Sequence, residues 1–206
     1  MMKRSFLTLI FAAVSALFSA LAAAPNADAV LAKVAASLSK PASTTVTFDV
    51  KANGRTASGT MTVCKRLFTF SSGDLAVWYD GLTQWTLQRS AKEVSITEPT
   101  MDELMETNPF VVLTGYKSHF TSTMVSSTAA QYRIKLTAKS KAAAVKSAVV
   151  TVSRKSMQPS SIALTMQSDS PVTVSIKRIS HGKALPKSFF TFSAKNAGKV
   201  TVNDLR

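Results

Sequence analysis

Apolar and polar residues alternate along most of the chain. Val, Ile, Phe, Leu or Met recur at every second position, with Thr, Ser, Lys or Gln between them, which is typical of strands that turn one face to a core. Asn53-Gly54 and Asp80-Gly81 separate two pairs of these segments and favour tight turns. The short spacing predicts an antiparallel meander. The alternating segments are 45–50, 60–63, 68–70, 77–79, 85–88, 94–97, 132–137, 150–152, 162–166, 172–176 and 200–202.

A first helix is predicted ahead of these strands. Leu31, Val34 and Leu38 recur at helical spacing, so they fall on one face. Asn26 is a suitable N-cap, and Pro41 lies just beyond the expected end.

A second helical segment interrupts the strands near the middle of the chain. Thr100 and Glu103 have the spacing of a capping box, and a short apolar helix face follows them. The run Phe110–Leu113 is wholly apolar but far too short to span a membrane.

The pattern predicts a mainly β (α+β) fold. About ten or eleven strands with one apolar face make a surface that two short helices cannot cover as a flat layer. We therefore expect a single curled antiparallel sheet that forms an unclosed half-barrel, with the N-terminal and mid-chain helices as lid or plug. Such a sheet favours an apolar cavity whose natural occupant is an acyl chain. The alternative is a barrel or sandwich filled by its own side chains.

The N-terminus has the features of a secretory signal peptide. Lys3 and Arg4 precede an apolar run, and small residues at 20–24 fit a cleavage site. We expect a signal peptide at 1–22, with cleavage between 22 and 24, and one lipid-binding domain at 23–206. The alternative is an uncleaved membrane anchor.

Charge and composition narrow the function further. The net charge of +14 favours anionic surfaces or acidic partners, although it equally fits a well-solvated sheet face. Export argues against nucleic acid as a partner. His119 and His181 have no neighbouring ligands at metal spacing, and no nucleophile motif is present. We expect no cofactor, no metal and no catalytic residue, so the protein is not predicted to be an enzyme.

Several short motifs carry a family resemblance. The segment Trp78–Trp85, with Asp80-Gly81 at its centre, resembles a hairpin of the LolA-type periplasmic lipoprotein carriers. The segment 94–99, the helix at 101–108 and the tail from Leu185-Pro186 to Arg206 follow in the order of that family.

The resemblance implies an unclosed half-barrel that holds lipoprotein acyl chains during transfer to the outer membrane. It further implies a periplasmic location, an inner-membrane lipoprotein-releasing transporter and an outer-membrane acceptor as partners, and acylated lipoproteins or other lipids as cargo. We expect a monomer that is soluble after signal cleavage. The alternative is a lipid-sensing or regulatory domain of the same fold that does not shuttle its ligand.

The predicted lipid-binding residues lie on the apolar strand positions and on the mid-chain lid. They are Phe48, Val50, Met61, Val63, Phe70, Trp85, Leu87, Ile96, Met101, Leu104, Met105, Phe110, Leu113, Ile134, Leu136, Leu164 and Val174. Carriers of this family often have an Arg-Pro pair whose Arg holds the lid shut. The corresponding candidate here is Arg66, which is followed by leucine instead of proline and could equally be a simple turn residue.

Overall fold

The computed structural model describes residues 26–193 and 199–206. The predicted signal peptide at 1–22 therefore lies outside the described residues. The helices are α1 (Ala27–Ser39), α2 (Met101–Thr107) and α3 (Pro109–His119), with a short 3-10 helix at Lys187–Phe190. The strands are β1 (Ser43–Ala52), β2 (Arg55–Cys64), β3 (Leu67–Ser72), β4 (Leu75–Tyr79), β5 (Gln84–Gln88), β6 (Glu93–Thr97), β7 (Phe120–Ser127), β8 (Gln131–Ala138), β9 (Val145–Ser153), β10 (Pro159–Met166), β11 (Pro171–Gly182) and β12 (Thr201–Asp204).

One sheet contains all twelve strands, in the order β12-β6-β5-β4-β3-β2-β1-β11-β10-β9-β8-β7. Two antiparallel meanders, β1–β6 and β7–β11, join where β1 pairs with β11. The predicted fold class, a mainly β unclosed sheet with helices, is confirmed. Two strands differ from the prediction: β7 was not predicted, and β12 pairs with β6 in parallel, not antiparallel.

The predicted turns are present. Asn53 and Gly54 both have positive φ, 50° and 73°, which is the geometry of a type I′ hairpin turn and explains the choice of these residue types. At the second turn, the Asp80 carboxylate accepts hydrogen bonds from the N–H groups of Leu82 and Thr83, at 3.1 and 3.0 Å.

The predicted helix starts are confirmed as well. The Asn26 side chain accepts a hydrogen bond from the N–H of Asp28 at the start of α1. At α2 the Thr100 N–H donates to the Glu103 carboxylate at 2.7 Å, while the Glu103 N–H donates back to the Thr100 hydroxyl. Two backbone N–H groups at the start of α2 that lack a partner within the helix are thus satisfied by residues close in sequence.

The main core lies on the inner face of the curled sheet. Register places Phe48 opposite Gly59 and Ile176, and the Phe48 ring stacks on Phe70 and tilts against Phe110 of α3. Helix α1 contacts β1, β2 and β7, and α2 contacts β9, so the helices fill the hollow of the sheet.

A second apolar cluster lies on the opposite face of β4–β6. Register pairs Trp78 with Trp85 and Trp85 with Ile96, on the face away from the main core. Strand β4 is apolar on both faces, so the apolar side of the sheet changes between β4 and β5. The expectation of one apolar face therefore fails for β5 and β6. Phe192 covers this cluster, with its ring 5.4 Å from that of Trp78.

Among residues 26–193 and 199–206, none of the helices has the length and hydropathy needed to span a membrane.

Candidate functional site

An apolar cavity of about 290 Å³ lies between the helices and the first strands of the sheet. Its floor comes from β1–β4, one wall from the C-terminal end of α1, and the other wall from α2 and α3. The lining residues are Leu38, Ser39, Thr44, Val46, Met61, Val63, Lys65, Arg66, Phe68, Tyr79, Met101, Leu104, Asn108, Phe110, Val111, Thr114 and Gly115.

The wall formed by α2 and α3 depends on a buried asparagine between the two helices. Asn108 ends α2 and caps α3: its N–H donates to the carbonyl of Leu104, and its side-chain oxygen accepts from the N–H of Phe110 at 3.0 Å. Pro109 follows at the first position of α3, where a missing N–H costs nothing. The resulting corner turns Leu104 and Phe110 toward the cavity.

The rim of the cavity carries two cations. Lys65 and Arg66 form the turn between β2 and β3, and both side chains are exposed while contributing to the lining. Burial raises the pKa of the Tyr79 hydroxyl, and the positive charge of Arg66 partly opposes this rise. The cavity is therefore apolar inside and basic at its edge.

The neighbouring turn is closed by an ion pair. The Lys187 ammonium lies 3.2 Å from the Asp80 carboxylate. Partial burial tends to raise the pKa of Asp80, but hydrogen bonds from Thr83 and Leu82 together with Lys187 lower the pKa overall.

The predicted lipid-binding residues fall into several groups in the structure. Those that line the cavity are Met61, Val63, Met101, Leu104 and Phe110, together with Arg66. Those packed into or against the main core away from the cavity are Phe48, Val50, Phe70, Leu113, Ile134, Leu136, Leu164 and Val174. Met105 belongs to the core and faces a smaller pocket beside α2. Those on the opposite face, and therefore outside this cavity, are Trp85, Leu87 and Ile96.

The predicted latch residue makes no polar contact with the lid. Within residues 26–193 and 199–206, the Arg66 guanidinium forms neither a hydrogen bond nor a salt bridge. A latch role for Arg66 stays a prediction.

Sequence reasoning missed lining residues on α1, on the strands and on α3. Val46, Phe68 and Tyr79 lie on the inward face of β1, β3 and β4, but alternation alone does not say which stretch of that face borders a cavity. Leu38 at the end of α1 and Lys65 in the β2–β3 turn were missed as well. Predicting Val111 and Thr114 as lining residues would have required recognising that the segment after Pro109 is helical. Pro109 itself indicated this, because proline is common at the first position of a helix.

Metal-binding chemistry has no support in this region. In the described part of the chain, no three His, Cys, Asp or Glu side chains come close enough together to hold an ion. Cys64 is a buried free thiol at the end of β2.

Fold and site together define the class of the protein by its architecture: a half-barrel sheet with an apolar cavity under its helices. A family model described as "Outer membrane lipoprotein carrier protein LolA" matches residues 17–168. The chain belongs to this family.

Several solved structures are similar to this chain at low sequence identity, and this similarity concerns the fold alone. A conserved protein from Thermus thermophilus is 9% identical with a TM-score of 0.59, over 86% of this chain and 98% of that one. A DUF1329 family protein from Desulfovibrio piger is 10% identical with a TM-score of 0.50, over 83% and 99%. A LolA superfamily protein from Nitrosomonas europaea is 10% identical with a TM-score of 0.45, over 82% and 99%. None of the curated proteins matches the sequence significantly.

Proposed function

We propose that this protein is a periplasmic carrier that holds lipoprotein acyl chains in its cavity and delivers lipoproteins toward the outer membrane. The observation that supports this most directly is the apolar cavity of about 290 Å³ between the sheet and α1–α3. Family membership supports the same class of cargo.

The size of the cavity limits what it holds in this conformation. Ligand pockets commonly occupy roughly 300–1,000 Å³, so this cavity lies at the lower end and suits a single chain. Each buried methylene contributes about 0.8 kcal/mol, which gives one long chain ample affinity. A lipid anchor with several chains requires α2 and α3 to move outward from β1–β4.

The proposed pathway follows from the signal-like N-terminus and the family. The protein is exported, acts as a monomer in the periplasm, receives cargo from an inner-membrane lipoprotein-releasing transporter and passes it to an outer-membrane acceptor. No catalytic step belongs to this role, because the cavity lining is dominated by aliphatic, aromatic and thioether groups.

A pair of matched substitutions tests the cavity. Val63 lines the cavity, whereas Val172 packs against the same core elsewhere, and both are partly buried strand valines. Titration with a fluorescent fatty acid should show tenfold or greater weakening for Val63→Phe, because the ring occupies the ligand volume. Val172→Phe should bind as the wild type does. Equal binding by both variants contradicts the proposal.

Cargo transfer needs a separate experiment. Depleting the protein in its host should leave lipoproteins in the inner membrane, as measured by membrane fractionation. If the purified protein binds lipid but lipoproteins are sorted normally in the depleted strain, the sensing or regulatory alternative is favoured.

A further inference from the structure

The corner between α2 and α3 places a hydrogen-bond donor in the cavity lining that the fold itself does not use. Asn108, at this corner, is only 2% exposed and lines the cavity. We propose that its side-chain amide donates a hydrogen bond to the ester carbonyl at the head of a bound acyl chain. This inference rests on the proposed function and names the polar group of the cargo that the cavity recognises.

The other polar groups of Asn108 are all engaged in holding the corner. Its backbone N–H donates to the carbonyl of Leu104 at 2.8 Å, and its backbone carbonyl accepts from the N–H of Val111 at 3.0 Å. Its side-chain oxygen accepts from the N–H of Phe110, also at 3.0 Å. Within residues 26–193 and 199–206, the side-chain nitrogen donates to no protein group.

The cap of α3 fixes the direction of this amide. The side-chain oxygen faces the N–H of Phe110, so the nitrogen of the same planar group points away from the start of the helix. Among the described residues, Gln84 Oε1 is the sole fully enclosed side-chain nitrogen or oxygen without a partner. The Asn108 nitrogen therefore borders open space. Because Asn108 is almost entirely buried and lines the cavity, that space is the cavity.

The residue type at position 108 adds a second argument. Serine and aspartate cap a helix as well as asparagine does, and neither carries an amide donor. Asn26, which caps α1, is exposed, so its amide can donate to water. A buried donor without a partner is unfavourable, so an acceptor that arrives with the ligand accounts for the asparagine at 108.

The surroundings of the amide select an ester. Leu104, Phe110 and Val111 line the cavity beside Asn108, and all three are apolar. An ester brings hydrogen-bond acceptors only, whereas the N–H of a ligand amide would need an acceptor of its own in this lining. A carboxylate would have to give up its hydration, which is far more costly for a charge than for a neutral carbonyl.

Calorimetric titration with two matched ligands tests the inference. Glycerol monolaurate and dodecyl glyceryl ether have the same chain length and the same headgroup, and only the former has a carbonyl. We expect the wild-type protein to bind the ester about fivefold more tightly, which is the typical net contribution of one hydrogen bond. Equal affinities would overturn the inference and leave the carrier proposal intact. Binding of neither ligand contradicts both.

Two substitutions remove the amide and keep the cap of α3. Asn108→Asp retains an oxygen that accepts from the Phe110 N–H, and glycine at a cap position costs little stability, so Asn108→Gly should also fold. In both variants the preference for the ester should fall to about one or lower, because a change in cavity volume affects the two ligands alike. A preference that survives in both variants would belong to another donor of the lining, such as Tyr79 or Arg66, and would overturn the inference.

Thr114→Val is the matched control. Thr114 also lines the cavity, but its hydroxyl already donates to the carbonyl of Val111 at 3.3 Å. This variant should keep the fivefold preference for the ester. A loss equal to that in the Asn108 variants would show that the effect is not specific to the amide, which contradicts the inference.

NMR spectra of the wild-type protein provide a readout that depends on no variant. The side-chain amide protons of Asn108 should shift further downfield with glycerol monolaurate than with dodecyl glyceryl ether, because only the ester carbonyl accepts from them. Identical shifts with the two ligands would exclude this hydrogen bond.

Discussion

The two halves of the inner sheet face come from similar sequence patterns and end in different states. In β8–β10, Ile134, Leu136 and Ile162 are completely buried and do not line the cavity. In β1–β4, Met61 and Val63 occupy comparable strand positions but border the cavity. The difference lies in the helices opposite each half. Alternation of apolar and polar residues indicates that one face of a strand must be covered, whereas the placement of α1–α3 decides how tightly that face is packed.

This comparison has a consequence for binding. The β8–β10 half is filled by its own side chains, whereas the β1–β4 half borders the cavity opposite the corner that α2 and α3 make at Asn108. The open volume therefore lies where a ligand can enter without displacing the side chains of the packed half.

Truncation of a core side chain should distinguish the two halves most strongly. Ile134→Ala creates a new void in the packed half and should lower the free energy of unfolding by about 2–5 kcal/mol. Val63→Ala removes atoms that already border a cavity and should cost about 1 kcal/mol or less. Urea denaturation of both variants measures the contrast, and equal losses would show that the two halves are packed alike.

Overpacking should have the next largest effect, at Gly59 on β2. A Cβ at this position would lie 2.6 Å from the Phe48 ring and 2.9 Å from the carbonyl oxygen of Ser71. We expect Gly59→Ala to destabilise the protein by about 1–3 kcal/mol in thermal unfolding. Adding Phe48→Leu should recover part of that loss, so a fully additive double variant would disprove the ring contact.

Removing the cap of α2 should have a smaller effect that is confined to the cavity half. Thr100→Ala deletes the hydroxyl that accepts from the Glu103 N–H, at a cost of about 1 kcal/mol. Hydrogen exchange should speed up in α2 while β8 and β9 stay protected. Thr121→Ala, an exposed threonine on β7, serves as the control, and uniform acceleration across the sheet would contradict a local effect.

The smallest expected effect is a pH dependence at the same cap. The N–H and hydroxyl of Thr100 donate to the Glu103 carboxylate and lower its pKa. The stabilisation is therefore present above the ordinary value of about 4.3 and is lost as the pH falls through the lower folded pKa. At pH about 6 the melting temperature of the wild type should exceed that of Glu103→Gln, and this difference should shrink as the pH falls below the ordinary pKa of a glutamate. A constant difference would exclude ionisation of Glu103 as its cause.

Local elements could be predicted from short stretches of sequence. The caps at Asn26 and Thr100 and the turn at Asn53-Gly54 depend on neighbouring residues alone, and all three are present. Register across strands could not be predicted this way, because period-two alternation does not say which side of the sheet faces the core. The residues Trp85, Leu87 and Ile96 show this: they alternate as expected and lie on the face opposite the cavity.

By itself, the sequence determined a mainly β chain with two helical segments, an excess of positive charge and a family resemblance that the match over residues 17–168 confirms. The tertiary structure alone decided that β1 pairs with β11, that β12 runs parallel at the edge, and that the cavity lies beneath α2 and α3. Caps and turns depend on interactions between residues close in sequence, so they can be predicted from the sequence alone. Which apolar side chains fill the hollow, and where it stays open, depends on contacts between residues far apart in sequence.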